Sequence, residues 1–520
     1  MKSLKRIVLC VLSLVAAEAL PAQVRLSADF DTGSVGRLVQ ADTMCLHGGC
    51  PDSVRVLSLT VLSRVDPSNP VDKSVAPSSR WFHFRMEGVR NDMILLRIPN
   101  TEVVRPFYSY DGEEYMRFDR KENVYPHSIN TVFERDTAYV AYFAPYTHAR
   151  HESDLRRWSG SRYASCDSIG VSGEGRTISL LTVTDPQTPY KEKRKVWIHS
   201  RVHTSEAPAS WHVKGLVDAL LADTPLAAQI RRNAVFYIVP ETNPDGVYGG
   251  YSRSVPSGIN MEINWDRPDS LTTPEVLVLK RTVERLAADR PMDLGLNMHS
   301  QTAPHVTYWI HSAESTSPAY FRRQLLLSAL TMNSTNLYAP GEQSFSNLKS
   351  IYPEGWYWSM FGEKMLALTF ETPYTYYNND PNGVWVTTEN LAQLGEASLE
   401  AVSDMLGLGG TERMIADSEQ MSVRGPWKTV CDERVFFGDS YMVAGDGGAS
   451  VTFVWKGVPA GKYDIYRWVP GPQTANFSGD DNRWVLADSI VRRRKGRVSW
   501  SFRAAAAGDA ADAVMLVRRR

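Results

Sequence analysis

Apolar positions fall into three successive regimes along the chain. Over residues 24–154 they come in short runs rich in aromatic and branched side chains, RWFHFRM, MILLRIP, TVFER and TAYVAYFAPY, separated by turn-formers such as RNDM and YDGEE. In RWFHFRM, Trp81, His83 and Arg85 alternate with Phe82, Phe84 and Met86. That is the period of a half-buried strand, so His83 reads as a strand-face residue and not a ligand. The stretch predicts an N-terminal β-sandwich that packs on, or shapes access to, the next domain. From about Trp158 longer apolar runs, KVWIHS, AVFYIVP, LGLNMHS and MLALTFE, alternate with helical patterns. Val213, Leu216, Val217, Leu220 and Leu221 recur at helical spacing over residues 207–222, and Val276, Leu279, Val283 and Leu286 do so over 274–290, with Pro274 suited to a first turn. A third helix is expected over 389–408, ended by Gly409-Gly410. Strands alternating with helices predict an α/β, doubly wound, mixed but mainly parallel sheet over residues 158–410. Residues 421–520 return to short alternating strands. Two lie in 449–470, joined by the turn VPAG, and RWVLADSIV, GRVSWSF and AVMLVRRR come after them, the size of one C-terminal β-sandwich.

Residues 1–23 obey another logic. Lys2, Lys5 and Arg6 form a basic start, residues 7–17 an apolar run too short to span a bilayer, and Ala17-Glu18-Ala19 a small-x-small cleavage site, with a cut near Ala22 also fitting. This reads as a secretory signal, which places the protein in a secreted or periplasmic setting. Cys10 sits inside the apolar run without small residues before it, so no lipoprotein signal is read. No later stretch is long and apolar enough for a membrane span. The 520 residues carry a formal net charge of −1, which gives no argument for a nucleic-acid partner or an anionic membrane. Beyond the leader the length suggests two to four domains. Of the remaining cysteines, Cys45 and Cys50 bracket LHGG and suit a local disulfide better than a metal site with His47. Cys166 and Cys431 are either free or paired.

The chemistry gathers at RVHTSEAPASW, which sets His203 and Glu206 in the pattern H-x-x-E directly after KVWIHS. A strand ending in a loop that feeds a helix leaves both side chains at the carboxyl edge of an α/β sheet, where ligands bind. Imidazole and carboxylate are both zinc ligands, and a catalytic zinc takes three protein ligands and leaves a position open. LGLNMHS supplies a third ligand, His299, from another strand end. MLALTFE ends in Glu371, a carboxylate at the same edge and a candidate general base, with the strand expected to stop at the Thr-Pro-Tyr after it.

The run HTSE, ETNPDGV, Arg253, GINMEINW, NMHS and TFETPY resembles the zinc metallocarboxypeptidases, above all their cytosolic carboxypeptidase-like branch. RWFHFRMEGV, RPFYSYDGEEYMR and AYFAPYT are similar to the β domain that precedes the peptidase there, so the resemblance covers residues 27–408. It implies zinc held by His203, Glu206 and His299, Glu371 as general base and then acid, Arg253 as the cation that polarises the scissile carbonyl, and Tyr352 as a phenol that closes over substrate. One segment departs from the pattern. The family's D-x-N-R reads Asn260-Met261-Glu262-Ile263 here. Asn260 then stands where an aspartate orients the first zinc histidine. Glu262 and Ile263 replace the Asn and Arg that grip a terminal carboxylate, which removes a bidentate partner and adds a repelling charge. Either another cation, Arg267 or an arginine of the β domain, restores that grip, or the site takes a neutral or cationic flanking group with Glu262 pairing to an amine.

The sequence therefore points to a secreted zinc hydrolase of peptides or peptide-like amides. The alternative is a catalytically weak zinc-binding protein that holds an envelope or extracellular polymer. The tail weakly resembles golvesin-like modules of secreted hydrolases, and Trp455, Tyr463, Tyr466 and Trp468 offer either a polysaccharide-binding face or packing residues.

Overall fold

The computed structural model describes residues 24–46, 54–71, 73, 76–102, 104–124, 128–263, 265–417 and 420–519. The leader at 1–23, Cys50 and His47 lie outside these residues, and with them the expected Cys45–Cys50 bridge. Cys166 and Cys431 are free thiols.

The centre of the molecule is an eight-stranded sheet: β1 (Ala164–Val171), β2 (Thr177–Val183), β3 (Arg194–Ser200), β4 (Ala234–Val239), β5 (Leu294–Gln301), β6 (Thr307–His311), β7 (Ser344–Ser346) and β8 (Leu366–Pro373). Their order is β1-β2-β4-β3-β5-β8-β6-β7, with β4, β3, β5 and β8 mutually parallel. Alternation within one strand serves two cores. In β3, Val196 and Ile198 pack to one side with Val213, Leu216 and Leu220 of helix α1 (Ala207–Leu221), while Trp197 packs to the other with Val276, Leu279 and Val283 of α2 (Pro274–Leu286). Helices α3 (Pro318–Ser334) and α5 (Thr388–Leu406) join the first side, and α4 (Pro353–Phe361) the second. With both faces covered, the four inner strands are nearly continuous apolar runs, as a buried parallel sheet requires. Each such fully buried Val or Leu contributes ~1.5–3 kcal/mol.

The doubly wound sheet matches the expectation from sequence, with two adjustments at element ends. Helix α5 stops at Leu406 because Gly407 takes the left-handed conformation (φ 67°) and its N–H returns to the Asp404 carbonyl, so the stop lies earlier than Gly409-Gly410. Strand β8 runs through Thr372 and Pro373, paired with Ser300 and Gln301, so Thr-Pro does not end it.

Before this unit stand two five-stranded sheets. They enclose a core of Phe82, Phe84, Met86, Ile94, Leu96, Ile129 and Val140 and form the expected sandwich. His83 is buried between Thr32 and Tyr115 and is a strand-face residue. After it, strands Ser450–Val458 and Gly461–Val469 enter different sheets, so VPAG links sheets and closes no hairpin. Arg413–Ala416 pairs with Val514–Arg518, so this last unit recruits a strand ahead of residue 421. Trp455, Tyr463 and Trp468 are buried, and Trp468 stacks edge-on against Phe437 and Trp484 at 5.3 Å each. Tyr466 is half-buried. Elsewhere this unit meets the peptidase directly: Asn333 of α3 bonds to Asn482 and Trp484, and Arg322 lies over Phe436. No helix among the described residues is long and apolar enough to cross a membrane.

Helices α1 and α5 touch backbone to backbone at Gly215 and Gly395. A Cβ on Gly215 would lie 2.3 Å from Ala392 Cα. Gly215→Ala is expected to cost ~1–3 kcal/mol by overpacking, read as a lowered thermal midpoint. An unchanged midpoint would contradict the close approach.

Candidate functional site

The carboxyl ends of β3, β5 and β8 deliver the candidate residues to one edge. Chain reversal after β3 begins at Arg201, a non-glycine residue at φ 60°. That conformation persists only where surroundings over-determine it, and here the buried guanidinium donates to Thr204 O (2.9 Å), Tyr146 O (3.1 Å) and Ser210 Oγ (2.9 Å). The loop then presents His203 and sets Glu206 at the N-cap of α1, where the helix dipole favours a carboxylate. His299 lies near the end of β5, in register with Glu371 on β8.

Side chains converge as the spacing implied. His203 Nδ1 lies 2.9 Å from Glu206 Oε1, His299 Nδ1 2.8 Å from Glu206 Oε2, and the two Nδ1 atoms 3.2 Å from each other. All three residues are buried. Four ligand atoms round a tetrahedral zinc at ~2.0–2.1 Å stand about 3.3 Å apart, so the residues present fit that ion. Glu262 is a competing carboxylate, since one ligand atom each from His203, Glu262 and His299 lies within 4.8 Å of the others. It approaches the opposite edge of the ring, 3.1 Å from His299 Nε2. An imidazole that gives Nδ1 to a metal keeps Nε2–H to donate, so Glu206 is in ligand position and Glu262 in supporting position.

The supporting shell corrects one expectation and meets another. Asn260 Oδ1 accepts from His203 Nε2 at 3.1 Å, as expected for its place in the sequence. Glu262 is not free to pair with a substrate amine: Oε2 faces His299 and Oε1 accepts from Asn297 Nδ2 at 3.1 Å. The carboxylate missing beside the first histidine reappears beside the second. Asn297 also donates to Glu354 Oε1 (3.1 Å), which accepts from Thr369 Oγ1 (2.7 Å).

The electrostatics are set by burial. With no ion among them, burial would raise Glu206, but the two imidazoles hold it well below the usual carboxylate range. Burial, then the Arg253 charge, lowers His203 to about 4. Burial works against protonation of His299 too, yet Glu262 and Glu206 hold it well above the ordinary histidine value. A proton thus sits on His299, between two carboxylates, where a cation is wanted. Burial would raise Glu262 as well, but His299 holds it at about 2. Burial pushes Glu371 up to about 8, helped by Glu206, and its Oε2 has no hydrogen-bond partner among the described residues. Burial and Glu262 push Glu354 up to about 7.

These groups open on a cavity of about 290 Å³ walled by Arg253, Lys349, Tyr352, Glu354 and Glu371. Tyr352, at the N-cap of α4, and Arg253 both reach it. Arg267 is not among its lining residues. The β domain contributes Arg80, whose guanidinium lies 5.6 Å from the Tyr374 ring and near enough to Glu206 for each to act on the other's charge. A larger cleft of about 520 Å³, lined by Glu102, Arg105, Arg120 and Trp385, lies between the two domains, and neither zinc-site histidine lines it. Sequence reasoning missed Asn297, Glu354, Thr369 and Lys349. Asn297 had a signal, two positions before His299 on the same strand face; Glu354 had a weaker one, two positions after Tyr352.

Residues 157–373 match the family model described as zinc carboxypeptidase. Mouse cytosolic carboxypeptidase 6 is 28% identical over 289 residues, 50% of this chain and 50% of that protein. An uncharacterized Zymomonas mobilis protein is 25% identical over 350 residues, 63% of this chain and 87% of that one. The chain thus spans about half the length of that cytosolic carboxypeptidase. Among solved structures, a Burkholderia cenocepacia metallo-carboxypeptidase superposes with a TM-score of 0.62 at 25% identity, covering 74% of this chain and 99% of that one. A Pseudomonas aeruginosa metallo-carboxypeptidase shares the fold at 0.58 and 23% identity, covering 74% and 100%.

Removing either imidazole should abolish retention of zinc. His203→Ala and His299→Ala are expected to fall to background in metal content after dialysis, and Glu262→Gln to lose affinity by about 10–100-fold in chelator competition. Full retention by either alanine variant would contradict the ligand assignment.

Proposed function

We propose that this chain, a peptidase carrying a zinc carboxypeptidase domain over residues 157–373, removes residues from the C-terminal end of peptides or peptide-like amides. The observation that carries the reading is the meeting of His203 Nδ1, His299 Nδ1 and the Glu206 carboxylate in a cavity that also holds Glu371 and Arg253. His203, Glu206 and His299 would hold the ion, with Asn260 and Glu262 orienting the rings. When bound, zinc supplies Lewis acidity, lowering the pKa of water and polarising a carbonyl. Glu371, with an unpartnered oxygen and a raised proton affinity, takes a proton from the attacking water and returns it to the departing amine. Arg253 offers a fixed positive charge to the carbonyl oxygen as it becomes anionic. Tyr352, on the same wall, closes over the bound chain. A protein that only bound a polymer would gain nothing from a base kept in this state beside the ligands.

Substrate recognition departs from the family pattern. Glu262 and Glu354 line the cavity, and Ile263 stands where the family pattern has a guanidinium. Lys349 and Arg253 supply positive charge on the walls. With Glu262 engaged by His299 and Asn297, and Ile263 in place of a guanidinium, the pocket favours a neutral group over a free carboxylate. The basic start and apolar run of residues 1–17 support export to a secreted or periplasmic location.

On a panel of peptides, Glu371→Gln is expected to lower kcat by about 10²–10⁴-fold while zinc stays bound; undiminished turnover would remove Glu371 from the mechanism. Peptide pairs with free and amidated C-termini should be cleaved at similar rates, and a strict need for the free carboxylate would refute the altered recognition. The base must be ionised, so kcat/KM rises with pH through an acid limb set by Glu371. A bound cation places that limb below the value of about 8 found without one. Because the Arg253 charge lowers the Glu371 pKa, Arg253→Ala should move the limb to higher pH; a shift to lower pH would contradict the pairing.

A further inference from the structure

We propose that the first β domain supplies a positioning residue to the active site: Asp66, whose buried carboxylate fixes the backbone that carries Arg253. The proposal rests on the role given to Arg253 above. Asp66 Oδ1 accepts from Ser252 N at 2.8 Å, and Oδ2 accepts from Arg253 N at 2.7 Å, Ser254 N at 3.1 Å and Ser254 Oγ at 3.3 Å. One carboxylate thus gathers three consecutive backbone amides, and hydrogen bonds to an ionised acceptor are about twice as strong as neutral ones. Asp66 is 5% exposed, so little water competes for it.

The contact is the middle of a longer seam. Trp81 of the same domain donates its backbone N–H to Ser252 Oγ at 2.9 Å, and Ser252 O in turn accepts from Ser205 N at 2.9 Å, one residue before Glu206. At one end of the Arg253 loop, Gly250 (φ 63°) lies so close to the β domain that a Cβ would meet Gly33 O at 2.3 Å. At the other, a Cβ on Gly258 (φ 87°) would meet Ser68 O at 2.6 Å. The loop is therefore held at three points by a domain that contributes no ligand.

The reason for such a clamp lies in the side chain it carries. No carboxylate of the described residues lies within ion-pair distance of the Arg253 guanidinium, while its charge reaches His203, Tyr352 and Glu371. A long, flexible cation without its own anchoring anion takes its position from its backbone. A displacement of about 1 Å at a charge-stabilising group can cost about 10²-fold in rate.

Asp66→Asn keeps the shape but sets an amide NH₂ against backbone N–H groups. The zinc-loaded protein is expected to lose about 10–100-fold in kcat with KM little changed, and amide hydrogen exchange over residues 252–254 should speed up. Asp66→Glu, which keeps the charge and displaces it by one methylene, should lose less and serves if the Asn variant does not fold. The discriminating arm is a double-mutant cycle: in an Arg253→Ala background, Asp66→Asn should cost less than about twofold. Equal losses in both backgrounds, or a lowered thermal midpoint with unchanged kcat, would show a domain staple only and overturn the proposal. If Arg253→Ala itself keeps the wild-type kcat, the parent reading of Arg253 fails and this proposal falls with it. An impaired Arg253→Ala beside a silent Asp66→Asn removes Asp66 alone.

Discussion

Four carboxylates packed round two imidazoles, almost out of reach of water, set the terms for everything else in this molecule. Glu206, Glu262 and Glu354 are buried, as are His203 and His299, and Glu371 stands on the same wall. Isolated charges in such surroundings are expensive, and groups placed there neutralise themselves or find a counter-charge. Without an ion the cluster does both: His299 keeps a proton between Glu206 and Glu262, and Glu354 and Glu371 shift up to about 7 and 8. A divalent cation on the Nδ1 side removes the need for either. The arrangement makes physical sense as a binding site and little sense as a core.

The fold meets this cost by bringing strong local structure to one edge. Parallel strands β3, β5 and β8 carry mainly apolar residues ahead of their carboxyl ends, so each ligand or base comes after a stretch anchored in the core. Where the chain leaves β3 for the ligand loop, Arg201 is held left-handed by three hydrogen bonds from its own buried guanidinium. The β domain closes the remaining side, and by way of Asp66 and Trp81 it reaches the loop that carries Arg253.

Much of this was legible in the chain. The switch from period-two runs to long apolar runs with helices between them located the sheet, and H-x-x-E after a strand, with His and Glu at two later strand ends, located the site. Local pattern failed where the answer depends on a distant partner. Glu262 read as a specificity group because nothing near it in sequence shows that His299 Nε2 will take its carboxylate. Asp66 was invisible, being 187 positions from the amide it holds. Alternation left open what the tail aromatics face; Trp455 and Tyr463 turn into the core of the tail itself, beside Val451 and Ile465. Gly407 and Gly409-Gly410 are equivalent as stop signals until the cap bond to Asp404 selects one.

Anomalous diffraction at the zinc edge, from crystals of the zinc-loaded protein, tests the central claim most directly. The account predicts a single strong peak within bonding distance of His203 Nδ1, His299 Nδ1 and the Glu206 carboxylate, with Glu262 left beside His299 Nε2. A peak bonded to Glu262 in place of Glu206, or none at these residues, would contradict it.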